Sequence, residues 1–230
     1  GGQRDSTAAP GRGATGGRFG DSVNRRLTSE LMDDPDLSPR MHRRALGGLR
    51  RINRLSGVTA SLWRPLSELA RTAGGRLSLL DVAAGAADVP LALAERARRE
   101  GWTLDVTACD RSPVAREVAL EAATRRGLEL TYLIREIEED VLRDLGTFDV
   151  VLCTLFLHHL EADRAVGVLR GMKQIAGNLL LVNDLRRTRR HLALAHVIPR
   201  MATRSPIVHV DAVKSVRAAY SVEEFSKLAT

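Results

Sequence analysis

From Arg76 onward the chain alternates short β-like apolar runs with helical runs. Residues 76–82, 103–109, 128–135, 148–155 and 178–182 read as strands. Residues 88–100, 113–126, 161–176 and 188–203 read as helices. Such alternation predicts a parallel sheet covered by helices on both faces. The run "FDVVLCTLFL" is almost wholly apolar, as a central strand buried on both sides must be.

The fold class predicted is α/β, a Rossmann-like, doubly wound and mostly parallel sheet with an N-terminal helical cap. Residues 1–20 are rich in Gly, Ser, Thr and Pro and read as a disordered tail. Residues 21–74 read as the cap, and 75–230 as the sheet domain. In the cap, Val23, Leu27, Leu31 and Met32 have helical spacing. Ser38 and Pro39 open a second helix, which Gly57 ends. Pro65 predicts a kink or restart in a third, stopped at Gly74-Gly75. Leu62, Trp63 and Leu66 either line a lid or dock that helix on the sheet.

No apolar run reaches the roughly 18 residues of a membrane span, and the N-terminus has no apolar core of a secretory signal. Cys109 and Cys153 lie in strand-like runs without metal-ligand spacing, and no metal is expected; they read as buried thiols of a cytoplasmic protein. The net charge of +7 comes almost entirely from arginine. It fits either an acidic ligand or a coding bias toward alanine and arginine.

The first strand runs into a turn, "LSLLDVAAGAADVP", at the edge where open α/β sheets bind ligands. The turn carries one glycine, Gly85, among Ala83, Ala84, Ala86 and Ala87. It lacks the G-x-G-x-x-G of a dinucleotide loop and the Gly-Lys-Ser/Thr of a P-loop. A ligand without phosphates demands less of it, and the alanines are expected at φ below zero. Asp110 ends the second strand in "DVTACDRSP", where a carboxylate either accepts a ribose diol or caps the next helix.

Asp81-Val-Ala-Ala-Gly85, then Asp110, "TFDVVLCTLFLHHL" and "LLLVNDL", together resemble the class I S-adenosylmethionine-dependent methyltransferases, and most of all the small-molecule, quinone-biosynthesis-like branch. The resemblance covers about residues 76–187. It implies S-adenosyl-L-methionine as cofactor and a small-molecule acceptor. Asp81, Ala83 and Gly85 match the motif that holds the methionine part, and Asp110 the acid that binds the ribose. Glu136, or else Asp140, falls where the family binds the adenine amine. Thr154 and Leu155 border cofactor and substrate. The family carries Gly at the Ala83 and Ala87 positions, and commonly Asp where Glu136 stands. Its sheet ends in an antiparallel pair; this chain stops at Thr230, so those strands are expected to be missing and the domain truncated.

Methyl transfer from a sulfonium needs alignment and exclusion of water, and a hydroxyl acceptor gains from a general base. His158 and His159 follow the fourth strand as catalytic candidates, one of them reaching the pocket and the other structural. His209 is a third, in a stretch read as extended and folded back over the site. Asn183 and Asp184 either line the acceptor pocket or cap the next helix. Four arginines, 186, 187, 189 and 190, bind an acidic group or open a solvated helix. Ser221 and Glu224 have capping-box spacing.

Three other functions compete. A nicotinamide dehydrogenase explains Asp110, though not the missing glycine or the histidine pair. RNA or protein methylation suits the charge, but Thr154-Leu155-Phe156-Leu157 stands where the amine-methylating tetrapeptide belongs, and 3% aromatics leaves few stacking surfaces. A binding protein on the same fold suits the alanine-filled loop.

Overall fold

The computed structural model describes residues 23–228, so the predicted tail at 1–20 lies outside the described residues. Strands β1 (Arg76–Val82), β2 (Thr103–Asp110), β3 (Thr131–Ile134), β4 (Phe148–Thr154) and β5 (Ala176–Asn183) form one sheet in the order β3-β2-β1-β4-β5. Every pairing is parallel. The register sets Val82 beside Cys109 and Cys153, Asp110 beside Ile134, and Thr154 beside Asn183. The carboxyl ends of the strands therefore finish together, and the strand order switches direction between β1 and β4, from building outward through β2 and β3 to building outward through β4 and β5. That is where such sheets open a ligand crevice.

Helices α1 (Pro39–Ser56), α2 (Val58–Thr72), α3 (Asp88–Arg99), α4 (Pro113–Arg126), α5 (Glu139–Arg143), α6 (Ala162–Ile175), α7 (Arg189–Ala202), α8 (Pro206–Ala218) and α9 (Val222–Leu228) surround the sheet. Leu77, Leu79, Val106, Val150 and Leu152 face α2 and α3. Leu80, Val82, Val151 and Cys153 face α5 and α6 on the other side. Period-2 alternation thus feeds two separate apolar layers, which is why these strands carry so few polar residues. Cys109 and Cys153 are buried free thiols, and burial pushes the Cys109 thiol up to about 11.

The predicted N-terminal cap divides in two. Leu62, Trp63 and Leu66 of α2 sit in the core against the sheet, so they dock the helix there. α1 instead reaches over the strand tips. Its Leu46 packs with Ala86 of the first turn and Ala115 of α4, while Ala45 meets Ile207 and Val208 of α8. The Ser38 side chain accepts the Met41 N–H and Pro39 sits at the first turn, as the sequence predicts. Gly57, at φ 73°, separates α1 from α2. α2 is continuous through Pro65, so the helix does not restart there.

Two other readings are corrected. Residues 23–30 form no helix; they run as a strap, followed by a 3-10 turn at Leu31–Asp33. The strap bonds to other elements: the Arg26 N–H donates to the Arg217 carbonyl, and Arg25 Nε to the Ala218 carbonyl. The stretch holding His209 is not extended. It is helix α8, opened by Pro206 and burying Ile207, Val208, Asp211, Ser215 and Val216 on one face.

Candidate active site

The first turn, residues 83–87, is built from left-handed residues. Ala83, Gly85 and Ala87 have φ of 57°, 52° and 51°. Two alanines therefore hold the conformation expected of glycines, against the reading that they stay at negative φ. The Cβ of alanine there meets the following carbonyl, at a cost of roughly 1–2 kcal/mol per residue. Surrounding bonds hold the turn: the Ala84 N–H donates to the Cys109 carbonyl at 3.1 Å, and the Tyr132 hydroxyl to the Gly85 carbonyl at 2.7 Å. A Cβ added at Gly85 meets no atom within 4 Å, so the turn opens onto free space.

Three carboxylates converge on it. Asp81, at the end of β1, is buried, and neither of its oxygens has a hydrogen-bond partner. Burial, with Asp88 and Asp110 adding to it, pushes its carboxyl well above the usual range. Asp110 accepts the Gly85 N–H and, through its other oxygen, the Ser112 N–H. Asp88 accepts a hydrogen bond from Asn53 of α1 at 3.1 Å. A crevice of about 180 Å³ borders the turn at Ala86 and Asp88, walled by Leu46 of α1 and Val118 of α4. Glu136 is exposed in the loop after β3, and Asp140 pairs with Arg143 on α5 at 3.0 Å.

At β4 the chain leaves the sheet through Thr154 into Leu155, which has φ 56°. The Leu155 N–H donates to the Asn183 carbonyl at 2.8 Å, tying the ends of β4 and β5 together. A 3-10 turn at Leu157–His159 follows. Its two imidazoles lie 4.4 Å apart, centre to centre.

His158 is buried, and its Nδ1 lies 2.6 Å from Asp184 Oδ1. The same carboxylate accepts the His158 backbone N–H at 3.1 Å. Since a carboxylate only accepts, Nδ1 carries a proton. Burial alone lowers this imidazole's pKa, but Asp184 and then Glu30 outweigh it and raise the ring to about 9. His159 is 26% exposed, with Nδ1 3.4 Å from Asp33 and Nε2 3.9 Å from Glu30. Burial pushes the Asp33 carboxyl up, but His159 and Arg111 overcome it and hold it below the usual range. His209 lies on α8, its Nε2 bonded to the Thr203 carbonyl at 2.7 Å.

The family described as "Methyltransferase domain" matches residues 79–177, from within β1 through the start of β5. The ubiquinone biosynthesis O-methyltransferase of Caulobacter sp. (strain K31) is 34% identical over 138 residues. That alignment covers 57% of this chain and 52% of the relative, so the chain spans about half the length of the curated relative it matches. Among solved structures, the plantazolicin methyltransferase BamL, crystallised with a triazolic desmethylPZN analog and SAH, aligns with a TM-score of 0.57 at 18% identity. The alignment covers 82% of this chain and 63% of that one. Magnesium protoporphyrin IX methyltransferase from Synechocystis PCC 6803, with bound SAH, gives 0.51 at 15% identity over 86% and 78%. At such identities the likeness is one of fold.

Around the matched region, the structure adds residues that sequence reasoning missed. Glu30 and Asp33 reach the histidine pair from the strap. Buried Asp211 fixes that strap by accepting the Leu31 and Met32 N–H groups at 2.8 and 3.0 Å. Arg25 lies over the Tyr220 ring at 4.0 Å and donates to the Leu160 carbonyl at 2.7 Å. The "ELMDD" run is acidic on sight, but nothing local in it shows which partner each acid meets.

Proposed function

We propose that the chain transfers a methyl group from S-adenosyl-L-methionine to a small-molecule acceptor, at a hydroxyl of a phenolic or polyketide-like compound. The observation that carries this reading is Asp81: a buried carboxylate without a hydrogen-bond partner, next to a turn that opens on free space. A buried lone carboxylate is costly, and a cation beside it relieves that cost. The ammonium of the cofactor's methionine part is such a cation. Asp110 uses one lone pair of each oxygen on backbone N–H groups, and a carboxylate has about four acceptor sites, so two remain for a ribose diol. The residues present therefore fit the cofactor.

When bound, the cofactor supplies a methyl group on a positive sulfur. The chain's part is to hold the acceptor in line with it and keep water out. Ala83 and Gly85 form the turn against the methionine part, and Thr154 and Leu155 form the wall between the two ligands. Glu136 is the proposed partner of the adenine amine. His159, partly open, is the member of the histidine pair that faces the acceptor; His158 positions it from beneath, locked by Asp184. Asn183 borders the acceptor side. His209, bonded to a backbone carbonyl, has no part in this proposal. The Caulobacter relative's name, an O-methyltransferase, supports oxygen as the acceptor atom. Buried free thiols fit work in a reducing cytoplasm, and no helix among the described residues is long and apolar enough to cross a membrane.

Calorimetry with S-adenosyl-L-methionine and its demethylated product, followed by methyl transfer to a panel of phenols, tests the proposal. Binding of both with turnover on a phenol is expected. A folded chain that gives neither heat nor a thermal shift is a binding protein on the same fold.

A further inference from the structure

We propose that Glu30, His158 and His159 bind one divalent transition-metal ion of the zinc type. One ligand atom from each of the three lies within 4.8 Å of the other two. His158 Nε2 is 3.7 Å and His159 Nε2 is 3.9 Å from the same oxygen, Glu30 Oε1. These separations are too long for hydrogen bonds. In a tetrahedral zinc site with bonds near 2.0–2.1 Å, neighbouring ligand atoms stand about 3.3 Å apart. The two imidazole–carboxylate separations are thus about half an ångström longer than that spacing, and the third pair lies within 4.8 Å, so a small inward shift of the rings closes the set.

A second observation points the same way. Imidazoles that bind metals commonly give their other ring nitrogen to a carboxylate, which fixes the ring and makes the ligand more basic. Both rings here are arranged in that fashion. Asp184 meets His158 Nδ1 at 2.6 Å, and Asp33 faces His159 Nδ1 at 3.4 Å. Each Nε2 is therefore turned inward on Glu30. Glu30 is itself held: the Ser215 hydroxyl donates to its Oε1, and Asp211 clamps the backbone of the two residues that follow. The ligands come from two distant parts of the chain, so the ion would fasten the strap to the carboxyl end of the sheet.

Two imidazoles and one carboxylate suit zinc, cobalt or iron(II) rather than magnesium or calcium, which prefer oxygen. Three protein ligands leave a coordination position open, as in catalytic rather than structural sites. If the methyl-transfer reading also holds, that position receives the acceptor's hydroxyl oxygen and lowers its pKa, so that the proton passes to solvent water and the oxygen attacks the methyl carbon as the methyl–sulfur bond breaks. This last step rests on that reading; the metal site itself does not.

The test uses the full chain without an affinity tag, stripped with EDTA and dialysed against zinc chloride, with bound metal measured by mass spectrometry. Cobalt(II) chloride serves as a coloured probe. One equivalent of zinc is expected, with visible bands of low-coordinate cobalt. Glu30→Gln and His159→Asn should each lose at least tenfold in affinity. Asp33→Asn, which removes only the outer carboxylate, should lose about 10–100-fold. His196→Ala, at an exposed histidine outside the cluster, should bind as the parent does. Circular dichroism checks folding, and His159→Asn, at a partly open ring, remains informative if Glu30→Gln unfolds. Absence of a bound equivalent in folded protein, or equal binding by Glu30→Gln and His159→Asn, overturns the site. Stripped protein that binds S-adenosyl-L-methionine but no zinc overturns it and leaves the methyl-transfer reading intact. Protein that binds zinc but not the cofactor does the reverse.

Discussion

The Asp110 carboxylate spans two loops: Oδ2 accepts the Gly85 N–H at 2.8 Å and Oδ1 the Ser112 N–H at 2.9 Å. The side chain therefore holds the first turn against the start of α4 before any ligand arrives. Of the two roles the sequence offers, the cap of α4 falls to Ser112, whose hydroxyl accepts the Ala115 N–H at 3.1 Å, while Asp110, with about four acceptor sites, keeps two for a ribose diol. Asp110→Asn keeps the shape but turns an amide toward one of those donors. Hydrogen bonds to charged groups contribute about 1.5–3 kcal/mol, so affinity for S-adenosyl-L-methionine should fall by about 10–150-fold. Calorimetry checks this, and affinity within twofold of the parent would remove Asp110 from the ribose site.

Ala83 and Ala87 share a left-handed backbone but differ in burial. Ala83 is half-buried, while Ala87 is fully buried against Leu91 and Ala119. Ala83→Gly should raise stability by about 0.5–1 kcal/mol, the relief of strain less the added freedom of the unfolded chain. At Ala87 the same relief is offset by loss of a buried methyl group, worth about 0.8 kcal/mol, so Ala87→Gly should be close to neutral. Urea unfolding of both variants compares them directly.

The sheet was legible because its code is local. β1 and α4 match their expected bounds, and Ser221 and Glu224 form the reciprocal cap their spacing predicts, at 2.7 and 3.1 Å. α8 was misread because its buried face includes Asp211 and Ser215, polar residues that interrupt the apolar period, while Pro206 to Val210 alternates like a strand. The strap was misread for the opposite reason. Val23, Leu27 and Leu31 have helical spacing, but the backbone finds its partners on α8. At the site, Asp81, Gly85 and Asp110 were visible as a strand-turn pattern. Glu30, Asp33 and Arg25 were not, since each acts across more than a hundred residues of chain or through a loop whose path only packing decides.

Asp81 gives stability a pH dependence with a definite sign. Its carboxyl is raised in the folded chain by burial and by Asp88 and Asp110. A group raised on folding contributes stability that is complete below its unfolded pKa, near 3.9, and is lost as pH climbs toward the folded value. The parent should therefore weaken from about pH 4 upward relative to Asp81→Asn, which cannot ionise. At neutral pH the variant should be the more stable protein and the poorer binder of S-adenosyl-L-methionine. Urea unfolding between pH 4 and pH 8, with calorimetry at neutral pH, checks both. A variant with the parent's pH slope would show that Asp81 is paired or solvated.

Asp211 is the anchor through which α8 controls the strap. It is 3% exposed and accepts two successive backbone N–H groups from residues 31 and 32, which directly follow Glu30. Asp211→Ala leaves both donors without their acceptor and should cost about 2–3 kcal/mol of stability. The damage should be uneven. The Asp81–Gly85–Asp110 constellation makes none of its bonds to the strap, so cofactor affinity should stay within about threefold, well under the 1.4 kcal/mol of a tenfold change. Glu30 and Asp33, by contrast, lose the fixed backbone that aims them at the histidine pair. Faster amide exchange confined to residues 23–33, with turnover reduced at least tenfold and cofactor binding retained, is the expected pattern. Uniform exchange and equal loss of cofactor binding would mean that Asp211 supports the whole domain rather than the acceptor end of the site.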